Sequence, residues 1–365
     1  MKNLNNEKAI ILIPSLEPDK KLLSYVNELK EHGLTDIIIV DDGSGEDYQD
    51  IFQKLDMNGC IVLHHFENYG KGRALKTGFK YIQENYHQFA CIVTADSDGQ
   101  HAAEDVLRIL KLSKKNPDAL CLGIRDFTTP GIPAKSLIGN KFASFVFAAL
   151  YGRRLSDTQT GLRAFGMPLL EFMLAVKGDR FEYEIQMLIA CVKADINIQM
   201  LPIKVIYMNS NEGTHFKPFR DSARIIGILF SDFIRFSVSS IVSAAVDLGI
   251  AWFLLDFLST FFKSEYLKIL TATFVARLIS IAVNYLLNRN FVFREKKTAK
   301  QSLIRYLILC AIIILFSSTG VYVLHRFFGL NEKIGKITVD TLLYLLSYRM
   351  QQSWVFAKEG TKYNI

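Results

Sequence analysis

The chain has 365 residues, a formal net charge of +7 and a pI of about 9.0. Half of its residues are hydrophobic and its mean hydropathy is +0.18, enough apolar material for two domains but not for many more. A basic balance suits nucleic acid, a membrane surface or a phosphorylated substrate; no nucleic-acid module is visible, which leaves the last two.

The first half alternates short apolar runs with helical spacing. Ala9–Ile13 reads as a strand ending at Pro14, and Asp19–His32 as a helix with Leu22, Leu23, Val26 and Leu29 on one side. Asp36–Val40 is a β-branched run that stops at Asp41-Asp42-Gly43, and Cys60–Leu63 is another. A helix is expected from Lys71 to about Asn85, a strand over Ala90–Thr94 running into Asp96, a helix over Ala102–Lys114, and a strand over Ala119–Leu122 ending at Gly123. Such alternation predicts an α/β domain with a mostly parallel sheet and helices on both faces. Sheets of this kind take ligands beyond the carboxyl ends of their strands. The polar clusters fall at those ends: Glu17, Asp41-Asp42, Asp96 with Asp98, and Arg125. The five cysteines, Cys60, Cys91, Cys121, Cys191 and Cys310, lie in apolar stretches without a Cys-x-x-Cys pair and read as reduced core residues. The opening MKNLNNEKAIILIP has too short an apolar run for a secretory signal, so the first domain is expected in the cytoplasm.

Beyond Phe233 the character changes. Phe233–Leu258, Leu267–Leu287, Leu303–Leu324 and Ile334–Phe356 are each long enough to cross ~30 Å of hydrocarbon as helices. The link from Asn288 to Lys300 is strongly basic and is therefore expected in the cytoplasm. Four crossings then put the first domain and the C-terminal tail on the cytoplasmic side of a multi-pass membrane protein. The expected division is 1–230 and 231–365. No internal repeat is visible. Ionisable groups within membrane spans usually face the bundle interior, and Asp247, Arg277, Asp340 and Arg349 fall there. Asp247 lies about 20 Å along the first span and Arg277 about 15 Å down the second, so the two are expected to face each other. In the alternative, each bonds separately to water or backbone.

Asp96-Ser-Asp98 after a buried strand can point two hard oxygen ligands into one cleft, which suits Mg²⁺ or Mn²⁺. Alone, Asp-x-Asp is also the pattern of a solvated turn, which Gly99 would support. Its neighbours change the weighing: Pro14-Ser-Leu-Glu17-Pro18 and Asp41-Asp42-Gly43-Ser44 end the first two strands in the same manner. Together with Asn68-Tyr-Gly70-Lys71-Gly72-Arg-Ala74, Asp96-Ser-Asp98-Gly99-Gln100-His101, Gly123-Ile-Arg125, Asp157-Thr-Gln-Thr-Gly161-Leu-Arg163, Arg180-Phe-Glu182-Tyr-Glu184 and Gly213-Thr-His215-Phe, their order resembles a family 2 glycosyltransferase of the GT-A fold. Within that family the chain is similar to the polyprenyl-phosphate and dolichyl-phosphate glycosyltransferases. The membrane part is similar to the GtrA-like four-helix proteins, on Arg235-Phe-Ser-Val and Asn284-Tyr-Leu-Leu-Asn288-Arg289-Asn290-Phe-Val-Phe. The family usually carries Tyr-Asn or a similar pair before Glu17; here the positions are Ser15-Leu16.

The resemblance implies a Rossmann-like GT-A domain that binds a nucleotide-sugar donor, uses Mg²⁺ or Mn²⁺, and glycosylates polyprenyl phosphate beside membrane lipid, with no nucleic acid involved and a homo-oligomer allowed. By it, Pro14, Glu17, Asp41, Asp42, Gly70, Lys71 and Asp96 are expected at the donor, with Asp41 and Asp42 on base and ribose. Asp96, Asp98 and Gln100 are expected at the metal. A lipid phosphate is already anionic at neutral pH and needs a cationic site more than a strong base. Arg125, Lys135, Arg163 and Arg180 are the candidates, since a guanidinium fork can hold two oxygens; each could instead be a structural ion pair. Asp157 could orient an arginine or act as base, the former preferred, and Glu182 and Glu184 could cap or pair on a helix. The expected reaction is a metal-assisted inverting transfer from a UDP-hexose. The alternatives are another lipid acceptor, or a glycolipid flippase whose first domain only senses nucleotide-sugar. Gln351-Gln-Ser-Trp354 reads as an interfacial tryptophan with polar neighbours, and His64-His65 as a strand-end pair.

Overall fold

The computed structural model describes residues 8–86, 89–125, 134–204, 218–294 and 299–357, without the side chains of 134–136 and 218–222. Contacts divide the chain into two compact units that meet in sequence between Leu229 and Phe230.

The N-terminal unit is built on a seven-stranded sheet of order β3-β2-β1-β4-β6-β5-β7. Its central strands β1 (Ala9–Ser15), β2 (Ile37–Asp41) and β4 (Cys91–Thr94) are near-continuous apolar runs, as strands buried on both faces must be. They pair in parallel, with Ile13 opposite Ile39 and Ile11 opposite Val93, and β3 (Ile61–His64) extends them on the β2 side. The crossovers α1 (Lys21–Glu31), α2 (Gln49–Met57), α3 (Lys71–Asn85) and α4 (Ala103–Lys115) bury one face each. The chain builds outward from β1 through β2 to β3, then returns to β1's other side with β4. That reversal opens a crevice at the carboxyl ends of β1 and β4.

The strand expected to end at Gly123 continues to Arg125 as β5 (Leu120–Arg125). Gly123 is a close-approach position inside it: a Cβ there would meet Leu162 Cδ2 at 2.8 Å. β6 (Arg163–Gly166) runs antiparallel between β4 and β5, so its first residue lies at the same edge as their last ones. β7 (Ile198–Ile203) completes the sheet parallel to β5. Helices α5 (Ala134–Tyr151), α6 (Leu170–Ala175) and α7 (Glu182–Lys193) fill the connections.

The second unit is helical: α8 (Pro218–Phe257, counted here from Phe230), α9 (Glu265–Leu287), α10 (Ala299–Phe328) and α11 (Glu332–Met350). Three segments, Ala223–Thr260, Glu265–Val292 and Ala299–Phe328, are long and apolar enough to cross a membrane. The fourth helix forms where expected, but Lys336, Asp340, Arg349 and its polar end dilute its apolar stretch. Asp247 and Arg277 do face each other: Arg277 Nη2 lies 3.2 Å from Asp247 Oδ2, and Ser280 Oγ donates to Asp247 Oδ1 at 3.0 Å.

Candidate active site

The expected polar clusters meet at one edge of the sheet, where β1, β2, β4 and β5 end and β6 begins. Pro14 is buried within β1 opposite Val40. Glu17 follows in a left-handed conformation (φ 48°), its N–H donating to Ser44 Oγ at 2.8 Å. Ser44 N–H in turn donates to Asp41 Oδ1 at 2.9 Å, so the first two strand ends are tied together.

Asp41 and Asp42 are both buried and engaged within the protein. Asp41 Oδ2 lies 2.9 Å from His64 Nδ1. Asp42 accepts from Tyr69 N–H (3.1 Å) and Gly70 N–H (2.8 Å) and lies 2.8 Å from His65 Nδ1. In this structure the two carboxylates fix the loop that leads into α3, and the two histidines are the strand-end partners that hold them. Gly70 has φ +106° and no room for a side chain: a Cβ would come within 2.5 Å of Arg180 Cγ and 2.6 Å of Asp179 O. Arg180 itself reaches Asn68, with Nη1 donating to Oδ1 at 3.3 Å.

Close packing at Gly70 sets Lys71 into the crevice. Its Nζ lies 2.7 Å from Asp96 Oδ1 and 2.8 Å from Glu184 Oε1. Burial is the largest single influence and opposes the charges of Lys71 and Asp96, but the surrounding partners, Glu184 included, together outweigh it. Asp96 and Glu184 raise Lys71, and Lys71 with His101 holds Asp96 well below the usual carboxylate range. Asp98 is pushed the other way, first by burial and then by the neighbouring Asp96 charge. Its Oδ1 accepts from Gln100 N–H at 3.0 Å, so the turn and the carboxylate pair coexist. Gly161 makes the space for Asp96: a Cβ there would lie 2.3 Å from Asp96 Oδ2.

On the other side, Arg125 Nε and Nη2 donate to Asp157 Oδ2 (2.7 Å) and Oδ1 (3.0 Å). Asp157 is 0 % exposed. This bidentate pair fixes the guanidinium plane at the end of β5. Asp96, Gln100, His101, Arg125, Gln159 and Thr160 line one pocket. Asp96, Gln100 and Arg125 were expected at the site; His101, Gln159 and Thr160 were not assigned roles, and β6, which brings in the last two, left no clear mark on the sequence. Arg163 goes elsewhere. It is 1 % exposed and donates to Thr160 O (2.9 Å) and Glu184 O (2.6 Å), bracing the Thr160–Gly161 turn against α7 rather than lining the pocket. Glu182 accepts from Asp179 and Arg180 N–H and pairs with Arg224 at 3.3 Å. Lys135 lies on α5 with its side chain outside the described residues, and the Gly213-Thr-His215-Phe motif lies outside them altogether.

Among the described residues no three His, Cys, Asp or Glu side chains form a metal cage. Mg²⁺ does not require one: it is commonly held by one or two carboxylates, substrate phosphates and water. Asp96 and Asp98, two partly exposed carboxylates whose repulsion a cation would relieve, fit that requirement.

Residues 11–169 match the family described as Glycosyl transferase family 2, and residues 235–356 match GtrA/DPMS, transmembrane domain. An uncharacterized protein of Methanocaldococcus jannaschii is 30% identical over 208 residues, 56% of this chain and 84% of that one. UDP-N-acetylglucosamine--dolichyl-phosphate N-acetylglucosaminyltransferase of Methanococcus voltae is 32% identical over 216 residues, 54% of this chain and 85% of that one. Polyprenol monophosphomannose synthase of Mycolicibacterium smegmatis is 25% identical over 208 residues, 54% of this chain and 77% of that one.

Proposed function

The chain belongs to glycosyltransferase family 2, and from that premise we propose that it transfers a hexose from a UDP-hexose to polyprenyl phosphate at the cytoplasmic face of a membrane. The observation that carries this reading is that Asp96, Gln100 and Arg125 line one and the same pocket, with Lys71 paired to Asp96 beside it. An acidic pair for a metal and a fixed guanidinium for a second anion are what a reaction between a diphosphate donor and a phosphate acceptor requires. The transmembrane domain in the same chain supports a lipid acceptor, as do relatives named for dolichyl phosphate and polyprenol.

The donor diphosphate would lie near the N-terminus of α3, where Lys71 supplies positive charge. Asp96 and Asp98, with Gln100 beside them, would hold Mg²⁺ or Mn²⁺, which supplies charge neutralisation for the departing diphosphate. Arg125, held rigid by Asp157, would grip the lipid phosphate. One oxygen of that phosphate forms the bond to the anomeric carbon as the bond to the nucleoside diphosphate breaks on the opposite face, inverting the configuration. The attacking oxygen is already anionic, so no proton has to be removed, and Asp157 serves to position Arg125. Arg163 and Glu184 are positioning residues as well, the first for the Thr160–Gly161 turn and the second for Lys71. The basic link after α9 supports a cytoplasmic side for the N-terminal unit, and α11 as a fourth crossing would bring the C-terminus to the same side.

Full-length protein in detergent, given a panel of UDP-hexoses and a short polyprenyl phosphate, should form one glycosyl-phosphoryl lipid, and EDTA should abolish it. Binding of nucleotide-sugar with no transfer to any lipid would favour a sensing domain instead.

A further inference from the structure

The membrane unit holds a pattern that sequence comparison along the chain does not reveal. The ends of α9 and α11 align residue for residue at one constant spacing. Asn284 matches Ser347, Tyr285 matches Tyr348, Asn288 matches Gln351, Phe291 matches Trp354, and Val292-Phe293 matches Val355-Phe356. Both ends widen into a π-helical turn, Asn288–Val292 and Gln351–Val355. Both close with the same bond, Phe293 N–H to Asn288 O and Phe356 N–H to Gln351 O, each 2.8 Å. A π-turn is rare, and two at matched positions are not expected of unrelated helices. The starts of the preceding helices align too: Arg235-Phe236 on α8 with Arg305-Tyr306 on α10. Continuing in that register, Asp247 matches Ser317, and on the partner helices Arg277 matches Asp340. These positions bond in both hairpins: Asp247 with Arg277 at 3.2 Å, and Ser317 Oγ donating to Asp340 Oδ1 at 2.6 Å.

The contacts between the hairpins exchange. Tyr285 packs on Tyr306 with ring centroids 5.5 Å apart, and its counterpart Tyr348 packs on Phe236 at 5.3 Å. Tyr285 meets Phe356 at 5.9 Å, and Tyr348 meets Phe293 at 6.0 Å. Residues that match each other also touch each other. Phe293 stacks on Phe356 at 5.2 Å, and Asn288 Nδ2 donates to Gln351 Oε1 at 2.9 Å. Exchanged contacts off an axis, with self-matching contacts on it, are the signature of an isologous two-fold interface.

We infer that the membrane unit is an internal duplication: hairpin 235–293 and hairpin 305–356 are two copies of one element, each presenting the same self-complementary face, and the partner of that face is the other copy. The axis passes between Asn288 and Gln351 and between Phe293 and Phe356. Asn288 is 0 % exposed and its amide is fully used, donating to Asn284 Oδ1 at 2.8 Å and to Gln351, and accepting from Ser239 Oγ. Buried where α9 and α11 end, such neutral groups hold the two hairpins together because leaving them unpaired is unfavourable. The polar axis is thus the clasp of the pseudo-dimer.

The test uses the full chain with Cys310→Ser and a protease site in the 295–298 link, so that cutting separates the hairpins unless they are cross-linked. Three cysteine pairs are compared: Tyr285→Cys with Tyr306→Cys, Phe236→Cys with Tyr348→Cys, and Phe293→Cys with Phe356→Cys. All three should keep the cut halves joined, the two off-axis pairs to within about twofold of each other. A chain in which only one off-axis pair cross-links would overturn the two-fold. Where a cysteine pair fails to express, Asn288→Gln and Gln351→Asn serve instead. Each installs the amide that the other copy already uses, so thermal stability in detergent should drop less than in Asn288→Leu and Gln351→Leu. Equal losses in all four variants would contradict the duplication.

Discussion

At the sheet edge of the N-terminal unit buried charge is met by opposite charge: Lys71 stands between Asp96 and Glu184, and Arg125 lies on Asp157. Where α9 and α11 end in the membrane unit, the buried polar groups are neutral amides and hydroxyls, with Asn288 bonded to Gln351, Asn284 and Ser239. The difference follows from what each place has to do. A cleft for phosphates needs ions held ready, and their mutual pairing lowers the penalty of keeping them out of water. A buried interface between helix ends needs only that no donor or acceptor is left over. The charged cluster is therefore the place to look for chemistry, and the neutral cluster the place to look for assembly.

The largest expected effect tests the first half of that contrast. Asp98→Asn should lower kcat by on the order of a hundredfold or more, several kcal/mol of transition-state stabilisation, while the melting temperature changes little. Wild-type turnover undiminished in EDTA would break the comparison at once. Asp157→Asn removes one partner of a buried ion pair and should destabilise the N-terminal unit by about 3–5 kcal/mol, read as a lower denaturation midpoint. A neutral result would show that Arg125 does not depend on Asp157 for its place. Next comes Gly161→Ala. Its Cβ would lie 2.3 Å from Asp96 Oδ2 and must push that carboxylate aside, at about 1–3 kcal/mol. Nucleotide-sugar affinity should fall with it, and unchanged donor binding would mean that Asp96 is not where the donor is held. The smallest effect sharpens the other side. In a double-mutant cycle, Asp247→Asn and Arg277→Gln should couple by about 0.5–1.5 kcal/mol, modest because the Arg277 side chain is 64% exposed. Additive losses would mean that the pair contributes nothing.

How much of this was legible beforehand varied with how far apart in sequence the partners lie. Strands β1 to β4, their helices and the clusters at their ends could be read because each motif is contiguous. Asp96, Gln100 and Arg125 reached one pocket as the motifs implied. Residue type did not reveal direction, however. Arg163 and Arg125 are both arginines at strand ends, yet Arg163 opens an antiparallel strand and turns inward to α7, because β6 runs against its neighbours. The reversed strand carries only the four residues Arg163–Gly166, too few for a periodicity to show. The resemblance assigned Asp41 and Asp42 to base and ribose; the histidine and backbone partners they take within the protein come from the next strand and loop, which the motif alone does not show. The repeat in the membrane unit was missed for a related reason. Its identities are few, among them Arg235, Tyr285, Val292 and Phe293 against Arg305, Tyr348, Val355 and Phe356, and apolar helices resemble one another in any case. Only the exchanged contacts separate descent from composition.

In the proposed reaction Arg125 holds an anionic lipid acceptor while Asp96 and Lys71 serve the donor. This division of roles is tested most directly by measuring, on one preparation of Arg125→Ala, both nucleotide-sugar affinity and the KM for polyprenyl phosphate. Donor affinity should stay within about twofold of wild type and the acceptor KM should rise on the order of tenfold or more, the loss of one charge-assisted phosphate contact. A weakened donor with an unchanged acceptor KM would contradict it.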